Sequence, residues 1–227
     1  MSKYAILLKI LLGEKGMHEK SREVARLLIS IQAVVVTPKK PFTYTSGLQG
    51  PIYCDNRKVL SHVTVRDKII QYFLEVIREK NMVCDSYAGL ATAGIPHAAL
   101  IADRLKSPMI YIRAKAKEHG KQNQIEGDYK SGDKILLIED LVNQAGSLKT
   151  AYYGAKEAGL CPVGCLAIVD YQMESAKNII RELKLPFFAL TNLESIIDVC
   201  FENRDIDEHD KVIVTKWQKD PSHWKLA

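Results

Sequence analysis

Neither of the two familiar glycine-rich phosphate-binding patterns, GxxxxGK[ST] and GxGxxG, occurs in the 227 residues. Their absence excludes the usual forms of a P-loop nucleotidase and of a Rossmann dinucleotide enzyme. Cys-x-x-Cys pairs are also missing, and Cys161 and Cys165 have no second cysteine pair that could complete a zinc site. The five cysteines therefore indicate free thiols in a reducing compartment, and we expect a cytoplasmic protein.

Long apolar runs and an excess of one charge are missing as well. No stretch approaches the length of a membrane span, so no membrane partner is expected. The net charge is +5, from 32 basic and 27 acidic residues that are interspersed, which gives no support for nucleic-acid binding. With 47% hydrophobic residues the chain can bury a substantial core, as globular proteins do.

The N-terminal segment MSKYAILLKILLGEK is apolar but short. Lys9 interrupts it and no small-residue cleavage site follows, so it predicts a helix packed on the domain rather than a signal peptide. Apolar residues at helical spacing predict a further helix over 17–31.

The rest of the chain alternates between strand and helix patterns, with no internal repeat. Near-continuous apolar strands separated by helices predict an α/β fold with a parallel sheet covered on both faces. Ligands of such sheets bind beyond the carboxyl ends of the strands. The predicted strands are 33–37, 51–55, 82–90, 108–114, 134–140, 163–170 and 186–192, and the predicted helices are 63–80, 97–106, 147–159 and 174–184.

Two adjacent acids, Glu139 and Asp140, end the apolar segment KILLIED. A helix follows, for which Ser147 is the expected N-cap, and its free N–H groups would attract a phosphate. The acids repel phosphate and suit hydroxyl groups or a cation instead. A sugar phosphate meets both demands, with its ribose on the carboxylates and its phosphate on the amides. The alternative is a strand end that is acidic by chance.

The segment RAKAKEHGKQNQIEG, 113–127, breaks the alternation because it is polar and long. In an extended conformation its alternate residues would face one side and form a row of cations that suits a pyrophosphate. The alternative is a solvated charged loop. The residues of this row are Arg113, Lys115, Lys117, His119 and Lys121.

Two further segments are rich in small or hydroxyl-bearing residues. YAGLATAGIPHAA, 87–99, allows a ligand to approach the backbone closely, although tight helix–sheet packing explains it equally well. FTYTSGLQGPIYCDNR, 42–57, places Thr43, Thr45 and Ser46 near Phe42, which suits a flat polar ring, with a hairpin-like turn as the alternative. We interpret His97 as a helix-start histidine with satisfied hydrogen bonds.

In this order, the four segments resemble those of the orotate phosphoribosyltransferases, over roughly residues 17 to 200. The resemblance implies a type I phosphoribosyltransferase fold, with a parallel-sheet core flanked by helices and a small N-terminal hood. It divides the single domain 1–227 into a helix and hood (about 1–60), a core that binds phosphoribosyl pyrophosphate, PRPP (about 61–200), and a C-terminal extension (201–227). It also implies that orotate and PRPP give orotidine 5′-monophosphate and pyrophosphate in pyrimidine biosynthesis.

The resemblance further implies Mg²⁺ as cofactor, carried by PRPP near Asp140 without a ligand set of protein side chains alone. It implies a homodimer in which loop 113–127 reaches the neighbouring subunit's site. The implied catalytic residues are Arg113, Lys117, His119 and Asp140. The implied orotate-binding residues are Phe42, Thr43, Ser46 and Asn143. The implied PRPP-binding residues are Thr92, Ala93, Arg113, Lys115, Lys117, His119, Glu139, Asp140, Leu141, Val142, Asn143, Gln144, Ala145, Gly146 and Ser147.

The chain departs from the family pattern at Asn143, Gln144 and Ala145. The family has Thr or Ser, then Thr or Ala, then Gly at these positions. Glycine at position 145 would allow a positive φ and a close approach of phosphate, which alanine resists by about 1 kcal/mol or more. Two alternatives therefore stay open: a weakly active or non-catalytic protein of the same fold, and a phosphoribosyltransferase for another base.

Overall fold

The structure is a computed structural model that describes residues 3–44, 47–114 and 124–225, with side chains described at residue 16 and from residue 18 onward. Among these residues no helix has the length and apolar character needed to cross a membrane. The helices are α1 (Lys3–Ser30), a 3-10 helix (Asn56–Ser61), α2 (Val63–Glu79), α3 (Gly94–Leu105), α4 (Gly146–Glu157), α5 (Glu174–Leu183), α6 (Leu193–Glu202) and α7 (Glu208–Lys219). The strands are β1 (Val34–Val36), β2 (Phe42–Thr43), β3 (Gln49–Gly50), β4 (Ile52–Cys54), β5 (Ser86–Leu90), β6 (Met109–Ile112), β7 (Ile125–Glu126), β8 (Lys134–Val142), β9 (Cys161–Asp170) and β10 (Phe187–Asn192).

Six strands form the central sheet, in the order β10-β9-β8-β5-β6-β7. Five of them pair in parallel, and β7 alone runs antiparallel, against β6. The middle of β8 is fully buried because helices cover both faces of the sheet, and this explains its unbroken apolar sequence, 135–138. The predicted α/β fold with a parallel sheet is confirmed.

Several predicted boundaries are wrong. The two N-terminal helices are one continuous helix, α1, and the strand predicted over 82–90 begins only at Ser86. Asp85, just before β5, pairs twice with Lys134. Its carboxylate accepts a hydrogen bond from the Lys134 N–H at 2.7 Å, and its own N–H donates to the Lys134 carbonyl oxygen at 2.8 Å. The helix α3 begins three residues earlier than predicted, at Gly94.

The N-terminal hood consists of two small antiparallel ladders, β1 with β4 and β2 with β3. The Tyr44 hydroxyl donates a hydrogen bond to the carbonyl oxygen of Ile52 at 2.5 Å, which joins the two ladders. A Cβ at Gly50 would lie 2.8 Å from Nε1 of Trp217, so the side chain of α7 packs directly on the backbone of the hood.

The C-terminal extension is held to both the hood and the core. Trp217 is 1% exposed and packs edge-on against Tyr171, with ring centroids 5.7 Å apart. At the start of α7, Lys39 of the hood lies 2.9 Å from the carboxylate of Asp207 and 3.2 Å from that of Asp210. Those two carboxylates also form a capping box that ties the first turn of α7 to its N-cap.

Candidate active site

Three neighbouring parallel strands, β8, β5 and β6, end at the same edge of the sheet. Asp140 lies in the last residues of β8, Thr92 and Ala93 follow β5, and Arg113 follows β6. The fold therefore brings three of the four predicted segments to one edge, where ligands of parallel sheets bind.

Glu139 is nearly buried, with 6% of its surface exposed, and its carboxylate is held on both sides. Oε1 accepts a hydrogen bond from the backbone N–H of Asp140 at 3.1 Å, and Oε2 accepts one from the Ser147 hydroxyl at 3.1 Å. The prediction that Ser147 caps α4 is therefore wrong. Ser147 is the second residue of α4, and its hydroxyl orients the carboxylate of Glu139 instead.

Burial and the nearby charge change the titration of the acid pair. Burial, followed by the negative charge of Asp140, raises the pKa of Glu139 to about 8. Burial also raises the pKa of Asp140, while its hydrogen bonds partly counteract this. The raised pKa values favour a retained proton at neutral pH in the free protein, and hydroxyl donors or a cation would favour its release.

The turn between β8 and α4 presents backbone N–H groups that have no partner in the part of the chain that the structure describes. Ala145 is the N-cap of α4 with a left-handed backbone, φ 59° and ψ 17°, and makes no side-chain cap. The N–H groups of the first turn, at Gly146 and Ser147, are thus open to an anion. The amide oxygen of Asn143 is buried without a partner among the described residues, and Gln144 is exposed.

The segment after β5 approaches β8 very closely. A Cβ at Gly94 would lie 2.2 Å from the carbonyl oxygen of Ile138, and one at Gly89 would lie 2.7 Å from Cα of Ile95. Both glycines are thus required by helix–sheet packing, one of the two interpretations of this segment. Thr92 is exposed and Ala93 is half-buried, directly before Gly94.

His97 lies in the first turn of α3, as predicted, but its hydrogen bonds are not satisfied. It is 1% exposed, and neither ring nitrogen has a partner among the described residues. Burial lowers the pKa of His97 to about 4, so the ring is neutral at physiological pH.

Arg113 stands at the base of the polar segment. Its backbone N–H donates to the carbonyl oxygen of Gln124 at 2.9 Å, and its guanidinium lies 3.2 Å from the carboxylate of Glu126. The other predicted cations, Lys115, Lys117, His119 and Lys121, lie outside the described residues.

The hood reaches the acid pair through Asn56, a residue that sequence reasoning missed. Its buried side-chain amide donates a hydrogen bond to the carbonyl oxygen of Asp140 at 2.9 Å. Phe42 and Thr43 lie in β2 of the hood, with the Phe42 ring 5.4 Å from that of Tyr53, and Ser46 lies outside the described residues. The polar residues after the predicted strand PIYCD are the one local signal that could have indicated Asn56.

Comparison with known proteins identifies the family. Residues 58–192 match the family profile "Phosphoribosyl transferase domain". The chain is 43% identical over 206 residues to the orotate phosphoribosyltransferase of Coxiella burnetii, and the match covers 91% of this chain and 99% of that protein. The chain belongs to the orotate phosphoribosyltransferase family. The sequence-based prediction of an orotate phosphoribosyltransferase is thereby confirmed at the level of the family, and the protein is a pentosyltransferase.

Solved structures agree with this orotate phosphoribosyltransferase fold. UMP synthase from Leishmania donovani superposes with a TM-score of 0.72 at 27% identity, over 87% of this chain and 42% of that one. The orotate phosphoribosyltransferase of Aeropyrum pernix superposes with a TM-score of 0.66 at 23% identity, over 77% of this chain and 97% of that one. The type I phosphoribosyltransferase fold predicted from the sequence is confirmed.

Proposed function

We propose that this chain transfers the ribose 5-phosphate group of PRPP to orotate, giving orotidine 5′-monophosphate and pyrophosphate in the de novo synthesis of UMP. The observation that carries the proposal is the acid pair of buried Glu139 and half-buried Asp140, a few residues before the open N-terminus of α4 in a chain of this family. A ligand that fits this edge must carry hydroxyl groups and a phosphate a few ångströms apart, as a ribose 5-phosphate does.

In this proposal the ribose hydroxyls donate hydrogen bonds to Glu139 and Asp140. The 5-phosphate accepts hydrogen bonds from the turn 143–147, where the N–H groups of Gly146 and Ser147 are open. The positive end of the α4 dipole lies at the same place and adds to the attraction for the phosphate. The unpartnered amide oxygen of Asn143 supports its assignment beside the orotate ring, which carries N–H donors.

The reaction exchanges one bond at the anomeric carbon of PRPP. The bond to the pyrophosphate oxygen breaks, a bond to the orotate ring nitrogen forms, and the proton of that nitrogen is released. Asp140 stabilises the positive charge that develops on the sugar, and Arg113, Lys117 and His119 stabilise the departing pyrophosphate. A group placed where charge develops contributes about 3–4 kcal/mol to lowering the barrier.

The acid pair also fits Mg²⁺, which prefers oxygen ligands and usually combines one or two carboxylates with substrate phosphates. Burial raises the pKa of both carboxyl groups, and for Glu139 the charge of Asp140 adds to this, so a bound cation would favour their charged forms. Asp140 would hold the ion together with PRPP, and the ion would neutralise charge on the diphosphate.

We further propose that the enzyme is a cytoplasmic homodimer in which loop 113–127 acts on the partner subunit's site. The five cysteines are all free thiols, which supports a reducing compartment. The antiparallel pair of β6 and β7 supports the assignment of the loop, because Arg113 and Gln124, which flank it, lie side by side at the end of this ladder.

The test is an assay of orotate consumption with PRPP and Mg²⁺, run beside hypoxanthine, adenine and uracil. Turnover of orotate alone supports the proposal, and preference for another base replaces it with a different phosphoribosyltransferase. The left-handed backbone of Ala145 motivates a second candidate, a non-catalytic PRPP-binding protein. Micromolar binding of PRPP in a calorimeter, without turnover of any base, would favour that candidate.

A further inference from the structure

One buried side chain, that of Asn56, joins the hood to the strand that carries the acid pair. Asn56 is the first residue of the 3-10 helix and is fully buried. Its Nδ2 donates a hydrogen bond to the backbone carbonyl oxygen of Asp140 at 2.9 Å. A carbonyl oxygen can only accept, so this contact fixes which end of the amide faces β8. The contact therefore requires a side chain at position 56 that donates a hydrogen bond.

The backbone of Asp140 is bound by side chains at both of its polar groups. Its N–H donates to Oε1 of Glu139 at 3.1 Å, and its carbonyl oxygen accepts from Asn56. Strand β8 pairs with β5 only as far as Ile138, which lies opposite Gly89. The residues of β8 after Ile138 extend beyond that ladder, and Asn56 provides a hydrogen bond to this extension. The backbone of Asp140 is thereby fixed relative to the hood.

Stability alone does not explain an asparagine at position 56. Its amide oxygen, Oδ1, is buried and has no hydrogen-bond partner among the residues that the structure describes. A buried polar atom without a partner lowers stability, and an apolar side chain of similar shape would avoid that cost. What an apolar side chain would lack is the donor that reaches Asp140.

We infer that Asn56 is a positioning residue for Asp140, which it holds at a fixed place relative to the hood. This inference rests on the proposed function, in which Asp140 contacts the ribose of PRPP and the hood faces orotate. The hydrogen bond joins two residues of one subunit, so it does not depend on which subunit's site loop 113–127 enters.

The reaction requires such a link because two substrates must meet. The anomeric carbon and the attacking ring nitrogen react only when they are about 3–3.5 Å apart and aligned. The groups proposed to hold PRPP and orotate belong to separate segments, and Asn56 and Asp140 are 84 positions apart. The separation between the two substrates therefore depends on contacts between those segments, and the Asn56 hydrogen bond is one of them.

The first test is Asn56→Leu, with Tyr44→Phe as the matched control. Leucine keeps the approximate size of asparagine but cannot donate to Asp140. Tyr44→Phe removes a hydrogen bond of the same kind, from a hood side chain to a backbone carbonyl, but its acceptor, Ile52, lies within the hood. We expect kcat to fall on the order of tenfold in Asn56→Leu, because a misplacement of 1 Å can cost about a hundredfold and a smaller shift costs less. In Tyr44→Phe, kcat should equal that of the wild type.

The division of the effect between kcat and KM separates positioning from a general loss of structure. Asp140 is proposed to stabilise charge that develops in the transition state, so its misplacement should lower kcat more than it raises the KM for PRPP. The melting temperature should stay close to that of the wild type, because the lost hydrogen bond is offset by removal of the unpaired Oδ1. If Asn56→Leu does not fold, Asn56→Ala removes the same donor and has the same expected result. An unchanged kcat, or an equal fall in Tyr44→Phe, overturns the inference.

The second test is a double-mutant cycle with Asp140→Ala, measured by calorimetric titration with PRPP and Mg²⁺. Asn56→Leu alone should weaken PRPP binding by about fivefold, which corresponds to one ordinary hydrogen bond. Asp140→Ala keeps the backbone carbonyl but has no carboxylate to position, so the further change Asn56→Leu should weaken binding by less than about twofold. Additive losses would mean that Asn56 acts on the fold as a whole, and they would overturn the inference.

Failure of the proposed function gives a different pattern. If the wild-type protein binds PRPP but turns over no base, the binding cycle replaces the kinetic test, and a non-additive loss supports the inference without catalysis. If the wild-type protein turns over orotate while Asn56→Leu keeps its kcat and PRPP affinity, the inference is wrong and the proposed function stands. Absence of PRPP binding by the wild type overturns both.

Discussion

Glu139 holds a proton at neutral pH in the free protein, and we predict that binding of PRPP expels it. Burial and the charge of Asp140 raise the pKa of Glu139 to about 8, so the carboxylate form is the minor one at pH 7. Ribose hydroxyls that donate to this carboxyl group favour its charged form and lower its pKa in the complex. Affinity for PRPP should therefore rise with pH up to about 8 and become constant above it.

The size of the effect follows from the same value. With a pKa of about 8, one pH unit separates pH 7 from the midpoint, and the affinity at pH 7 should be about tenfold lower than the plateau value, or roughly 1.4 kcal/mol. Calorimetric titrations between pH 7 and pH 9.5, in buffers of different ionisation enthalpy, measure both the affinity and the protons released. We expect nearly one proton released per site at pH 7 and almost none at pH 9.5.

Glu139→Gln is the control, because it keeps the shape of the side chain and cannot titrate. Its affinity should be independent of pH over the same range. A flat profile for the wild-type protein, or an equal slope in Glu139→Gln, would refute the assignment of the proton to Glu139.

Stability of the ligand-free protein should depend on pH in the opposite sense. Because the folded pKa of Glu139 lies above its unfolded value, the folded state holds a proton that the unfolded chain releases. This contribution is fully present below about pH 4.5 and is lost as pH rises towards 8. The melting temperature of the wild type relative to Glu139→Gln should therefore fall between pH 5 and pH 8.

Three further outcomes are expected. Lys117→Ala should lower kcat by at least about a hundredfold with an unchanged melting temperature, if its cation stabilises the leaving group; near-normal turnover would rule that role out. Mixing inactive Lys117→Ala with inactive Asp140→Asn should restore about a quarter of wild-type activity, because half of the dimers then contain one intact site built from both subunits; no recovery would contradict action in trans. Ala145→Gly should change the free energy of unfolding by less than about 1 kcal/mol in chemical denaturation, because relief of the left-handed alanine is offset by the freer unfolded chain and one lost buried methyl group.

The parallel sheet and the acid pair are predictable from the sequence because both depend on local pattern. Unbroken apolar strands occur where both faces of a sheet are covered, and two acids at the end of such a strand must lie at the sheet edge. The start of α4 is not predictable in this way. Ser147 satisfies the usual preference for an N-cap, and only its contact with Glu139, a residue of another element, diverts its hydroxyl.

Contacts between distant segments cannot be predicted from local sequence patterns. Asn56 and Asp140 are joined by one hydrogen bond across a separation of 84 positions, and no local pattern connects them.

The helix α7 is not predicted from the sequence, for a related reason. Its buried residues are Asp210, Val214 and Trp217, too few to produce a clear apolar stripe, because the helix is stabilised by the hood and by its capping box.

The contact of Trp217 with the hood has a consequence for the order of events during synthesis. A ribosome completes the hood strands long before it adds α7, and domains synthesised in this direction begin to fold from the N-terminus. Until Trp217 emerges, the surface around Gly50 and Tyr44 has no cover and the hood lacks one of its main packing partners. A nascent chain can assemble the sheet first, but the hood, which we propose to face orotate, gains its contact with Trp217 only after α7 is made.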